Sequence, residues 1–259
     1  MTLLPEKLRR AGYRTAITGK WHGGARSPAN LPANRGFDYH LGFLTGGEDH
    51  FRQCHAPGNN INLVDLWENH GPAYGKNGTY SAQLYARAAV EVIANFSADL
   101  KRAKQLETDT NASETSQDLK LFLYLPWHDT HDPLQAPKEY KYPSLPAYNN
   151  SFRTRMTYNA MARALDEGME NVTGALAAAG LWNETLVVWS ADNGGWLLAK
   201  HGKGGAAGSS NHPLRGGKGK VTVLRATYVL YLTRFEKGQT SKGGSEASRL
   251  WVGAICRRA

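Results

Sequence analysis

Two short apolar runs, each followed at once by polar residues and joined through one long helical stripe, constrain this chain more than any other feature. Leu121-Phe122-Leu123-Tyr124-Leu125 and Thr185-Leu186-Val187-Val188-Trp189-Ser190-Ala191 show no apolar-polar alternation, so each is expected to be a strand covered on both faces. Between them Met156, Ala160, Ala164, Leu165, Met169, Val172 and Leu176 recur at helical spacing over 152–179, with Gly180 as the stop. Strand, helix, strand predicts an α/β domain with a largely parallel or mixed central sheet flanked by helices, whose ligands sit at the carboxyl ends of the strands. The 259 residues suffice for one large domain of this kind. With 41% apolar and 20% charged residues, a core needs no disulfide or metal staples.

Elsewhere the pattern is plainer. Leu4, Leu8 and Ala11 mark a short helix ended by Gly12, and Arg14-Thr15-Ala16-Ile17-Thr18 reads as a short strand leading into Gly19-Lys20-Trp21-His22. Residues 23–78, rich in Gly, Asn and Pro, read as a long surface excursion. The stripe Leu84, Tyr85, Ala88, Ala89, Val92, Ile93 and Phe96 predicts a helix over 81–96, and the polar tract 97–119 a loop. After a Gly/Lys-rich stretch over 202–220, residues 228–232 offer one more strand before a polar, basic tail. The expected division is therefore a domain over 1–232 and a tail over 233–259.

Lys and Arg exceed Asp and Glu by 31 − 22 = 9. Such a surplus draws anions, whether nucleic acid, anionic membrane or sulfated glycan. Cys54 and Cys256 are the only cysteines and have no metal-like spacing, so neither a zinc site nor a disulfide scaffold is indicated. Asn-x-Ser/Thr sequons begin at Asn77, Asn95, Asn111, Asn149, Asn171 and Asn183, against about two expected by chance. The excess predicts a secretory or lysosomal life. Met1 opens without a basic region or long apolar run, so the chain reads as one whose beginning is missing. Nothing approaches 18 consecutive apolar residues, and no membrane span is expected.

Three groups of polar residues stand where such a sheet would present them. Asp192-Asn193-Gly194-Gly195 follows a buried strand. It reads either as a tight turn or as two hard oxygen ligands for Ca²⁺ or Mg²⁺. Lys20 and His22 lie two apart beyond the first strand; extended backbone would send both to one side, a fixed charge beside a group that titrates near neutrality, though both could equally be surface residues. His131, within Trp127-His128-Asp129-Thr130-His131-Asp132-Pro133-Leu134-Gln135, follows another buried strand. Its pairing with His128 in a loop is not expected to bind metal. Pro213-Leu214-Arg215-Gly216-Gly217-Lys218-Gly219-Lys220 imitates a phosphate loop without the required Ser or Thr.

Taken in order, Leu8-Arg9-Arg10-Ala11-Gly12-Tyr13-Arg14-Thr15, Gly19-Lys20-Trp21-His22, Arg35-Gly36-Phe37-Asp38, His131-Asp132-Pro133-Leu134-Gln135, Asp192-Asn193-Gly194-Gly195 and Pro213-Leu214-Arg215-Gly216-Gly217-Lys218 resemble the formylglycine-dependent sulfatases of the arylsulfatase B type. The resemblance implies an alkaline-phosphatase-like fold, Ca²⁺ as cofactor and hydrolysis of sulfate esters on aryl or glycosaminoglycan substrates. It implies that Asp192 and Asn193 are metal ligands, that Lys20 and Lys218 bind sulfate oxygens, that His22 stands beside the nucleophile and that His131 protonates the leaving group. Such chemistry asks for cations on developing charge and an acid at the departing alkoxide.

Parts of the family pattern are missing. The Asp-Asp pair that completes the calcium site and the Cys-x-Pro/Ala-x-Arg motif that carries the nucleophile are not found; both are expected ahead of Met1, with an unpaired sheet edge left behind. Cys54-His55-Ala56-Pro57-Gly58 has Gly where Arg is required. No residue of this chain is therefore assigned as nucleophile, and Ca²⁺ binding is expected to be weak or absent. The expectation is a sulfuric-ester hydrolase chain that is inactive by itself, the alternative a non-catalytic binder of sulfated glycans. Nucleic acid is not an expected partner, since no recognition module is present. The specific substrate and oligomeric state are not legible.

Overall fold

The computed structural model describes residues 1–55, 63–110, 119–140, 150–196, 209, 211–212, 218, 231–233 and 250–256. The elements in chain order are α1 (Leu4–Arg10), β1 (Tyr13–Thr18), β2 (Tyr39–Gly42), β3 (Trp67–Glu68), β4 (Gly71–Pro72), α2 (Ser81–Thr110), β5 (Lys120–Pro126), α3 (Asn150–Ala178), β6 (Thr185–Ala191), β7 (Tyr231–Thr233) and β8 (Leu250–Cys256). The strands form one mixed sheet in the order β4-β3-β2-β1-β5-β8-β6-β7. Its central five, β2-β1-β5-β8-β6, are mutually parallel, and β3, β4 and β7 add antiparallel pairs at the two margins.

Strand periodicity divides the core. Leu121, Leu123 and Leu125 point to one face, where they join Tyr85, Ala89 and Ile93 of α2 and Leu165, Val172 and Leu176 of α3 in the main cluster. Phe122 and Tyr124, one residue out of phase, face the other side and pack with Ile17 and Phe37 against Leu8 of α1. Burying a leucine or phenylalanine side chain contributes about 1.5–3 kcal/mol. The uninterrupted apolar run of β5 is thus explained by helices on one face and the α1–Phe37 layer on the other.

Three features differ from the sequence reading. The helix expected to stop at 96 runs to Thr110. The tract beyond Phe96 is polar but rich in Ala, Leu, Lys, Arg, Gln and Glu, all good helix formers, and the Arg102 guanidinium pairs with Asp99 one turn back. Residues 23–78 are more than a surface excursion: they contribute β2, β3 and β4 and the buried Phe37, Phe43, Leu44 and Leu66. Within the tract read as a tail, Leu250–Cys256 forms β8 in the interior of the sheet, paired in parallel with both β5 and β6. The strand expected over 228–232 is described at Tyr231–Thr233, and residues 228–230 lie outside the described residues.

Candidate functional site

The carboxyl ends of the parallel strands stand level. Lys20 N donates to Pro126 O at 2.9 Å, and Pro126 pairs with Ile255, which pairs with Ser190. The segments after β1, β2, β5 and β6 therefore open onto one rim. After β1 the chain is held tightly: Gly19 adopts φ 120° and donates its N–H to Leu41 O at 2.9 Å. Any side chain at Gly42 would put its Cβ 1.7 Å from Gly19 O. Two glycines thus let β1 and β2 end in close contact and fix where Lys20 begins.

Lys20 is buried, 3% exposed, and its Nζ is hydrogen-bonded to Gly46 O. His22 is exposed, with φ 48°; the extended backbone expected for this pair gives way to a left-handed residue. Both side chains nevertheless meet at the same glycine, because a Cβ on Gly46 would lie 3.0 Å from His22 Cε1. A Cβ on Gly47 would lie 3.5 Å from His131 Nδ1 and 3.6 Å from His128 Nε2. Gly46-Gly47 thus lies between Lys20 and His22 at Gly46 and His131 at Gly47; a Cβ at Gly46 would press on the His22 ring, while one at Gly47 would meet His131 at ordinary contact distance.

That glycine pair is anchored by three residues the sequence reading passed over. The fully buried Glu48 accepts hydrogen bonds from Ser81 Oγ at 2.8 Å and Tyr85 Oη at 2.5 Å. Burial pushes its carboxyl pKa up to about 8, against the lowering effect of those donors. Asp49 accepts from Gln135 Nε2 at 2.7 Å, and His50 N donates to Gln135 Oε1 at 2.8 Å, tying the glycine pair to the segment after β5. The signal was present as Gly46-Gly47-Glu48-Asp49-His50, two glycines and three titratable residues shortly after a strand.

Asp192, Asn193 and Lys218 form a second group two strand positions from β5, across β8. With strands about 4.8 Å apart, β6 lies about 10 Å from β5. Asp192 is exposed, and Asn193 Nδ2 donates to Gly194 O at 3.0 Å, which leaves its Oδ1 as the ligand-type atom. Asn211 exchanges two hydrogen bonds with the Gly195 backbone, and Lys218 N donates to Gly195 O at 3.1 Å. That contact brings Lys218 back to the turn from 23 residues away along the chain.

The implied Ca²⁺ does not fit the residues described. Asp192 and Asn193 offer oxygens on a single turn, whereas Ca²⁺ takes about six to eight. Among the described residues no group of three or more His, Cys, Asp or Glu side chains gathers to hold a metal ion. Nor does Cys54 offer a nucleophile: it is buried, 4% exposed, and burial raises its thiol pKa. Cys256 lies at the carboxyl end of β8, opposite Ala191.

The Sulfatase family model matches residues 1–242. Mouse arylsulfatase J is 36% identical over 221 residues, covering 83% of this chain and 31% of that protein. Mouse N-acetylgalactosamine-6-sulfatase is 29% identical over 213 residues, 80% of this chain and 35% of that one. The chain thus spans about a third of these relatives' length. The crystal structure of Ps i-CgsB in complex with k-i-k-neocarrahexaose superposes with a TM-score of 0.66 at 26% identity, covering 96% of this chain and 49% of that one.

Proposed function

The chain belongs to the sulfatase family, and from this premise we propose that its rim binds the sulfate group of an aryl or glycan ester for hydrolysis. The observation that supports this best is the meeting of Lys20, His22 and His131 around Gly46-Gly47. In that reading Lys20 and Lys218 neutralise the sulfate oxygens. His131 gives a proton to the departing alkoxide oxygen as the ester bond breaks, and His22 stands where the attacking group approaches. A sulfated glycan is the favoured substrate class, because the surplus of nine positive charges draws a polyanion and Ps i-CgsB holds a neocarrahexaose.

Within these residues the machinery is unequal. Neither Cys54 nor Cys256 stands in a Cys-x-Pro/Ala-x-Arg motif, and Asp192 with Asn193 gives two metal-type oxygens at most. We infer that the 259 residues alone bind sulfate esters, hold Ca²⁺ only weakly and do not turn over. The fold division proposed is a catalytic-type domain over 1–232 with a basic extension whose β8 completes the sheet. The sequons support a lysosomal or extracellular place. Among the described residues no helix is long and apolar enough to cross a membrane.

Calorimetry with chondroitin sulfate and an aryl sulfate tests this reading. Saturable binding at physiological salt is expected, weakened about tenfold by Lys20→Ala and by Lys218→Ala, the loss of one charge-assisted contact. No product should be released above the Lys218→Ala control. Absence of saturable binding refutes the sulfate site, and robust Lys218-dependent turnover refutes the inference of an incomplete machinery. The second reading, a non-catalytic binder of sulfated glycans that uses the net charge and the remaining pocket, is favoured by that charge and is removed if chondroitin sulfate shows no saturable binding at physiological salt.

A further inference from the structure

Beneath His131 the structure holds a column of rings that the proposed chemistry does not use. His131 stacks on His128 with centroids 5.2 Å apart, His128 on His50 at 4.2 Å, and His50 on Tyr80 at 5.2 Å. The interplanar angles are 29°, 21° and 13°. His50 and His128 are wholly buried and Tyr80 nearly so, while His131 emerges at the rim. The stacked planes are joined by polar contacts at their edges. His50 Nε2 lies 3.2 Å from His131 O, and His131 Nδ1 lies 2.8 Å from Asp132 O. Carbonyl oxygens only accept, so both ring nitrogens must carry protons.

These contacts place a proton on Nε2 of His50 and on Nδ1 of His131. A neutral His131 ring with its proton on Nδ1 carries its lone pair on Nε2, the form that takes up a proton and delivers it. His50, protonated on Nε2, turns Nδ1 toward Asp129 Oδ2 at 3.9 Å. Tyr80 Oη touches both the Asp129 carboxyl and Gln135 O, the latter at 3.0 Å. A protonated Asp129 would donate to the hydroxyl and leave the hydroxyl's own proton for Gln135 O, and burial pushes the Asp129 carboxyl in that direction.

We propose that His50 is a positioning residue for His131: its Nε2–H holds the His131 carbonyl, His128 spaces the two rings, and His131 is thereby kept as the Nδ1–H tautomer. The proposal rests on the reading of His131 as the leaving-group acid, and it deepens that reading by naming what prepares the acid. Fixing a tautomer through the hydrogen bonds around a histidine is the ordinary way a protein prepares an imidazole. Here the support comes from below, through the backbone, since the His131 ring itself is engaged by Asp132 O.

Nitrogen-15 spectra of the histidine rings at neutral pH, assigned with His131→Gln and His50→Phe, test the proposal without any turnover. In the wild-type chain, His131 is expected with Nδ1 protonated and Nε2 bare, and His50 with Nε2 protonated. In His50→Phe, which keeps the stacked ring and removes the donor, the two His131 nitrogens are expected to move toward a common average as the tautomers mix. A wild-type His50 protonated on Nδ1 overturns the proposal, and that measurement stands even if His50→Phe does not fold. A folded His50→Phe with an unchanged His131 pattern overturns it equally. Failure of sulfate binding in calorimetry bears on the proposed function alone, so the two readings fail separately.

Discussion

Substitution of Gly42 by alanine tests whether the close approach of β1 and β2 sets the position of Lys20. The added Cβ would fall 1.7 Å from Gly19 O, whereas a carbon and a carbonyl oxygen rest about 3.3 Å apart. One strand end must therefore move by about 1.6 Å, the difference between these distances. The end of β1 has little freedom to move, because Gly19 N–H is bonded to Leu41 O and Lys20 N–H to Pro126 O, each at 2.9 Å. Overpacking costs about 1–3 kcal/mol and the loss of one of these bonds about 1 kcal/mol, giving a destabilisation of about 3 kcal/mol. At this chain length that lowers the melting temperature by about 6 °C. Displacement of Lys20 and His22 by more than an ångström should also weaken sulfate binding at least tenfold. Thermal denaturation followed by circular dichroism, with chondroitin sulfate calorimetry on the folded variant, checks both. Gly174→Ala is the control: nothing lies within 4 Å of its added Cβ in α3, so it should stabilise by about 0.5–1 kcal/mol. If Gly42→Ala melts within a degree of the wild type and binds sulfate normally, the close approach does not govern the site.

Other outcomes follow from buried titratable groups, from β8 and from the sequons. Glu48 titrates near 4.5 unfolded and about 8 folded, so the fold takes up a proton between these values and loses stability as pH rises from about 4.5 to 8; Glu48→Gln should flatten this limb in urea unfolding. His40, wholly buried with no hydrogen-bond partner on either ring nitrogen, is pushed by burial down to about 3. Its contribution is lost as pH falls below about 6.5, and His40→Phe should remove that acid-side limb. Val252→Pro, in a strand paired on both sides, deletes a central N–H and should abolish cooperative unfolding, whereas a normal transition would place β8 outside the working sheet. Asn77, Asn95, Asn171 and Asn183 are all exposed, so expression through a secretory pathway should yield glycans at each, detected by mass loss with an amidase; four bare sites would remove the support for that compartment.

Much of the fold was legible because its strands carry uninterrupted apolar runs, although only β5 is buried on both faces: in β6 Thr185 is buried and the residues after it are half-buried. The continuous apolar runs of β5 and β6 announced themselves, and the stripe from Met156 to Leu176 could only be a core-facing helix. What was not legible shares a physical cause: burial supplied by distant partners. The exposed outer half of α2 has no apolar stripe, so its polar residues read as loop although their helix propensity favoured the observed state. The tract 23–78 read as surface because its apolar residues fall in short clusters such as Phe43-Leu44 and Leu66-Trp67, without a long strand or helix pattern, and only the sheet reveals what they pack against. In the site, Lys20, His22 and His131 were visible through their positions after strands, and the structure joins them at Gly46-Gly47. His50 stood in the run Gly46-Gly47-Glu48-Asp49-His50, but nothing in that run tells that its ring lies under His128. The motif residues 213–217 lie outside the described residues, and Lys218 is placed through its backbone bond to Gly195.

The order of the strands in the sheet differs from their order of synthesis. β5 and β6, laid down long before β8, have no direct contact in the ladder, since β8 stands between them along its whole length. The two sides are already joined through the helical layer, where α3, Leu181 and Trp189 pack on the same core as β5, so Leu250–Cys256 adds the link within the sheet itself. By standing between β5 and β6, β8 sets the spacing of the segments that follow them at the rim.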